Sequence, residues 1–173
     1  FCPLVPPRIH MALKVYTDGK EWLCDVGFGS RVPTAPLMLE TTVPQKTPID
    51  TFRIQPSEEG FRLEVLDLGE WAPLYDLGRA PQFDIDYQVA NWYTAAHPDS
   101  LFRRELIVAR TTDRACFTLL GDRLTVRTAA GQRRQEVVTA ATLGDILQKV
   151  FLLPSCAEIA SLPAVFASLA RAR

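Results

Sequence analysis

An imidazole and a carboxylate stand near the start of the chain, at His10 and Asp25, separated by the turn sequence Thr17-Asp18-Gly19-Lys20. Asp-Gly between two β-favouring runs, His10 to Tyr16 and Glu21 to Val26, is a strong short-range hairpin signal. With Asp18-Gly19 as a two-residue loop, Tyr16 faces Glu21, Leu13 faces Cys24, Ala12 faces Asp25 and His10 faces Gly27. Side chains alternate along a strand, so His10 shares a face with Ala12 and Asp25. The two groups are then one diagonal step apart, roughly 7 to 8 Å between backbones, within reach of each other's side chains. A shift of one residue in the register would put them on opposite faces. A carboxylate beside an imidazole fixes its tautomer and stabilises its protonated form, which suits the imidazole to act as a general base. A nucleophile would complete such a constellation. The same pair also fits a purely structural role, in which two polar groups only satisfy each other. Gly27 and Gly29, just past the second strand, let a ligand come close to the backbone.

The elements that must position this pair are mostly strands. Beyond the hairpin, residues 31–48 carry Pro33, Pro36, Pro44 and Pro48 and read as extended loop with short edge strands. Thr51 to Gln55, Phe61 to Leu66 and Trp71 to Tyr75 alternate and are bounded by turn residues, which predicts three more strands. Near residue 84 the period changes: Ile85, Val89, Trp92 and Tyr93 fall at helical spacing behind Asp84, a candidate N-cap, and the helix should stop before Pro98. Trp92 and Tyr93 read as core packing between layers. Leu106 to Ala109, Cys116 to Leu120, Leu124 to Thr128 and Glu136 to Val138 predict a second antiparallel sheet. A helical stripe follows at Leu143, Ile146, Leu147 and Val150, and another after Pro163 at Val165, Phe166 and Leu169. The expected fold is α+β, with an antiparallel β-barrel domain over 1–85 and an inter-domain helix with a small α/β lid over 86–173.

Composition limits the function. The chain has 173 residues, 47% of them hydrophobic, enough to bury a core. Nineteen Lys and Arg against 20 Asp and Glu, without long runs of either sign, argue against a nucleic-acid or polybasic membrane partner. No apolar run approaches the ~20 residues needed to span a bilayer. Cys2, Cys24, Cys116 and Cys156 form no CxxC pair, and with His10 and His97 the only histidines, no metal site can be written. Reduced thiols and a cytoplasmic location are expected for a chain this long and apolar. Cys2 lies in a proline-rich lead, Cys24 alternates away from Asp25 as a small buried apolar residue, and Cys116 and Cys156 read as core or surface thiols. His97, near a helix end, reads as a cap favoured by the helix dipole. Arg103 and Arg104 read as solvated surface charges. Phe1 and the prolines at 3, 6 and 7 have the composition of a connector, so the chain is expected to be a cut piece of a longer protein or to begin late.

The runs Pro7-Arg8-Ile9-His10-Met11-Ala12-Leu13 and Trp22-Leu23-Cys24-Asp25-Val26-Gly27-Phe28-Gly29, with Val89-Ala90-Asn91-Trp92-Tyr93, His97 to Phe102 and Leu119 to Thr125, closely resemble the arylamine N-acetyltransferase pattern over nearly the whole chain. In that family an active-site cysteine is acetylated by acetyl-CoA and passes the acetyl group to an arylamine, hydrazine or N-hydroxyarylamine by a ping-pong route. The resemblance implies an incomplete cysteine-protease-like catalytic core, with His10 as triad base and Asp25 as its orienter. It places Phe28 in the substrate pocket, Gly29 beside the cofactor, and Phe102 against both acceptor and CoA. The family's nucleophile lies upstream, in an N-terminal helical domain that nothing here matches, so the resemblance implies that this domain is the missing partner and that the chain is inactive alone. Ile9 departs from the Thr that commonly precedes the family's His. Two rivals fit the same residues: an amide synthase of the same family, and a non-catalytic module that binds CoA or a partner protein.

Overall fold

The computed structural model describes residues 8–131 and 133–154. The chain divides into two compact units, Phe1–Arg104 and Glu105–Arg173. The first begins with the hairpin of β1 (Leu13–Thr17) and β2 (Lys20–Cys24). Its pairs include Leu13 with Cys24 and Tyr16 with Glu21, the register set by an Asp18-Gly19 loop. Both loop residues have positive φ, 51° at Asp18 and 72° at Gly19, as a tight turn matching the strand twist requires. β3 (Leu37–Met38) adds to β2, giving the order β1-β2-β3.

A second sheet holds β4 (Gln45–Lys46), β5 (Thr51–Pro56), β6 (Gly60–Asp67) and β7 (Glu70–Gly78) in sequence order, all antiparallel. The two sheets share one apolar core: Leu23 and Leu37 from the first meet Phe52, Ile54, Leu63 and Val65 from the second, each at most 2% exposed. Side chains of this kind each contribute about 1.5–3 kcal/mol when fully buried. Leu23 on β2 and Asp25 just past its end are both buried, while Cys24 and Trp22 lie on the other face with exposed Leu13 and Val15.

The expected barrel does not close. β1 is an edge strand and every residue of it is exposed. β3 and β4 are two-residue strands in the proline-rich stretch, where missing N–H groups interrupt the ladder, so the sheets stay separate.

β7 departs from simple alternation. Leu63 pairs with Tyr75 but Glu64 pairs with Pro73, leaving Leu74 as an extra residue, a β-bulge. Pro73, with no N–H to donate, sits beside it. The bulge lets Leu74 and Tyr75, consecutive in sequence, both pack against the core.

Helix α1 (Asp84–Ala96) follows, then the short α2 (Leu101–Arg104), which the periodicity did not indicate. The N-cap is Phe83 rather than Asp84, because the Asp86 carboxylate reaches back to accept the Phe83 N–H at 2.9 Å. The helix stops at Ala96, before Pro98, with His97 as C-cap. His97 stacks on Tyr93, and its Nδ1 accepts the Asp99 N–H at 3.2 Å. No residue of α1 is buried; Trp92 is 62% exposed, contrary to the core position expected for it.

In the second unit, β8 (Ile107–Thr111), β9 (Ala115–Leu120), β10 (Arg123–Thr128) and β11 (Arg133–Val137) form an antiparallel sheet ordered β11-β10-β9-β8. Helix α3 (Ala140–Lys149) starts at Thr139, whose N–H bonds Thr142 Oγ1 at 3.1 Å. Its Leu143 and Leu147 bury against Leu119, Leu124 and Val138. The helix expected after Pro163 lies outside the described residues, as do Cys2 and Cys156.

Candidate active site

Asp25 is the first residue past β2, and His10 lies three residues before β1. Both therefore stand just beyond the ladder, on the face the hairpin register gives them. There His10 Nε2 lies 2.8 Å from Asp25 Oδ2. The carboxylate accepts three further bonds: the Tyr75 hydroxyl donates to Oδ2 at 2.6 Å, and the backbone N–H groups of Gly27 and Phe28 donate to Oδ1 at 2.9 and 3.2 Å. The last two fold the chain into an Asx-type turn, which is why the strand ends at this point.

The Asp25 side chain is fully buried and that of His10 is 24% exposed. Burial alone would raise the Asp25 pKa, but bonds from His10, Tyr75 and Gly27 outweigh it and hold the carboxyl below its ordinary value. Tyr75 is pushed well above an ordinary phenol, first by burial and then by the Asp25 hydrogen bond and charge, so it remains a protonated donor. An ionised carboxylate only accepts hydrogen bonds, so His10 Nε2 must carry the proton in this contact. Nδ1 takes no part in this contact and is the ring nitrogen that can exchange a proton with a third group.

Phe28 and Tyr75 flank the imidazole with ring centroids 5.1 Å away, and lie 4.7 Å from each other. Gly29 has a φ of 80°, a conformation that favours glycine, and turns the chain away after Phe28. Arg31, two residues on, is anchored by Asp50 and Asp67. Thus His10, Asp25 and Phe28 come together with Gly29 close by. Phe102, on α2, is 58% exposed, and no ring contact joins it to the others among the described residues. Neither Cys24 nor Cys116 is in a disulfide, and Cys24 is half-buried rather than buried. Among the described residues no cysteine sulfur is within hydrogen-bonding reach of His10, and no group of three or more His, Cys, Asp or Glu could hold a metal ion.

Sequence reasoning missed Tyr75. The available signal was Pro73 inside a strand, which marks a bulge, followed by an aromatic residue with a polar tip.

A buried carboxylate bonded to an imidazole beside a Gly-Phe-Gly turn is an arrangement that can orient an imidazole for proton transfer. The N-acetyltransferase family model matches residues 3–156. Arylamine N-acetyltransferases of Mycobacterium tuberculosis and Mycobacterium bovis are 36% identical over 149 residues, 85% of this chain and 53% of theirs. The solved Mycobacterium marinum arylamine N-acetyltransferase in complex with CoA superposes with a TM-score of 0.80 at 32% identity, covering 86% of this chain and 55% of that one. The Salmonella typhimurium enzyme does so with 0.82 at 29%, covering 94% and 62%. The chain belongs to the arylamine N-acetyltransferase family. It spans about half the length of the curated relatives it matches.

Proposed function

We propose that this chain contributes the base and its orienter to an acetyltransferase that moves an acetyl group from acetyl-CoA to an arylamine, hydrazine or N-hydroxyarylamine. The observation that carries the reading is the ionised Asp25 holding the Nε2–H of His10, which leaves Nδ1 open, in a chain of this family. A cysteine thiol from outside these 173 residues, on a helical domain of the same protein, gives its proton to Nδ1. The thiolate attacks the acetyl carbonyl, CoA leaves as its thiol, and a thioester remains. The acceptor nitrogen then attacks the thioester and its proton returns through His10 to the cysteine sulfur. Phe28 and Phe102 line the acceptor pocket, and Gly29 and Phe102 lie along the CoA path. A cytoplasmic setting, where Cys24 and Cys116 stay reduced, suits this chemistry. No described helix is long and apolar enough to cross a membrane.

The test compares the isolated chain with the longer polypeptide that contains it, both given acetyl-CoA and an arylamine. The isolated chain should show no turnover. The longer one should give parallel double-reciprocal lines as acceptor concentration varies. Turnover by the isolated chain, or intersecting lines, would refute the assignment.

A further inference from the structure

Phe28 stands between two anchors. Upstream, the Asp25 carboxylate accepts the N–H groups of Gly27 and Phe28. Downstream, Arg31 spans two carboxylates of the second sheet: Nη1 donates to Asp50 Oδ1 at 3.1 Å, and Nη2 lies 2.7 Å from Asp67 Oδ1. The Arg31 and Asp50 side chains are 15% and 9% exposed, so this half of the bridge is largely out of water. Asp50 immediately precedes β5 and Asp67 ends β6, and the guanidinium therefore ties the turn to both strands. Beside it, Thr34 Oγ1 donates to Thr47 Oγ1 at 3.0 Å, and Thr47 Oγ1 donates to the Asp50 carbonyl at 2.8 Å.

We propose that Arg31 is a positioning residue for the acceptor half of the reaction: it holds the exit of the turn over residues 27–30, and with it the Phe28 ring, whereas Asp25 holds the base. This deepens the acyl-transfer reading and rests on Phe28 being a wall of the acceptor pocket. A glycine on either side gives the Phe28 backbone unusual freedom. The Val32 N–H reaches the Gly29 carbonyl only at 3.4 Å, a long bond that restrains the turn weakly. A guanidinium fork grips two carboxylates at once, so Arg31 supplies the restraint that the glycines lack. The His10–Asp25 bond involves none of these groups. Loosening the exit of the turn should therefore move the pocket wall and spare the base.

In a ping-pong reaction, kcat/KM for each substrate reports that substrate's own half-reaction. In the longer polypeptide, Arg31→Gln should lower kcat/KM for the arylamine about tenfold and leave that for acetyl-CoA within about twofold of wild type. A proportional loss in both would make Arg31 a support of the fold only, and no loss would remove it from the reaction; either overturns the proposal. Should Arg31→Gln fail to fold, Arg31→Lys keeps a cation beside the carboxylates but cannot fork to both. It should lose about threefold on the acceptor side alone, and the same two outcomes would overturn the proposal. In the chain itself, the nuclear Overhauser cross-peak between the Phe28 ring and His10 Hε1, whose ring centroids are 5.1 Å apart, should weaken in Arg31→Gln. An unchanged cross-peak would count against Arg31. That readout needs no turnover, so a weakened cross-peak with no transferase activity in the longer wild-type polypeptide counts against the functional reading instead.

Discussion

The corner at the end of the β1–β2 hairpin and the helix α1 lie in the same unit and are built in opposite ways. At the corner, the buried polar atoms answer one another: the Asp25 carboxylate takes four donors, and two aromatic rings close on His10. Phe83 at the N-cap of α1, and Ile85, Val89 and Trp92 on the helix, are all more than 60% exposed, and no helix residue is buried. A site whose parts hold one another in place is preorganised by the chain that contains it. An apolar helix in this state contributes little to that chain's own stability, since most helical stability comes from packing an amphipathic face.

Substitutions can break or sharpen this contrast. The largest effect should come from His10→Gln in the longer polypeptide: kcat/KM should fall about 10^3- to 10^4-fold with the unfolding midpoint little changed. Next, Leu63→Ala, which empties a fully buried position under the corner, should cost about 2–5 kcal/mol in urea unfolding of the chain. Trp92→Ala on α1 should stay within about 0.5 kcal/mol; an equal loss from both would erase the contrast. Asp25→Asn should cost about 1–3 kcal/mol, because an amide NH2 cannot accept all four bonds and leaves donors unpaired.

That cost should depend on pH. The Asp25 carboxyl is held lower in the folded chain than in the unfolded one. Its contribution is therefore present above the unfolded value of about 3.9 and vanishes as pH falls through the folded value, so wild type and Asp25→Asn should converge in acid. Gly29→Ala should cost about 1 kcal/mol, more than Trp92→Ala but less than Leu63→Ala, since space for a Cβ is open and only the positive φ opposes it.

The contrast also explains what the sequence revealed. The His10–Asp25 pairing was legible because an Asp-Gly loop and period-two alternation are local rules, and one register follows from them. The strands over 51–78 and 107–137 and helix α3 were legible for the same reason. Barrel closure was not, because it depends on pairing between strands far apart in sequence. Tyr75 was hidden because it comes from another sheet and its direction depends on one bulged residue, Leu74. The α1 stripe was visible as periodicity, but periodicity says which residues share a face and not what covers it, so Trp92 was misplaced in the core.

The most direct measurement of the central claim is mass spectrometry of the longer polypeptide after incubation with acetyl-CoA and no acceptor. The account predicts one acetyl group on one cysteine, formed rapidly, discharged on adding an arylamine, and absent in His10→Gln. Rapid acetylation that survives His10→Gln, or transfer to an arylamine with no acetylated cysteine, would contradict it.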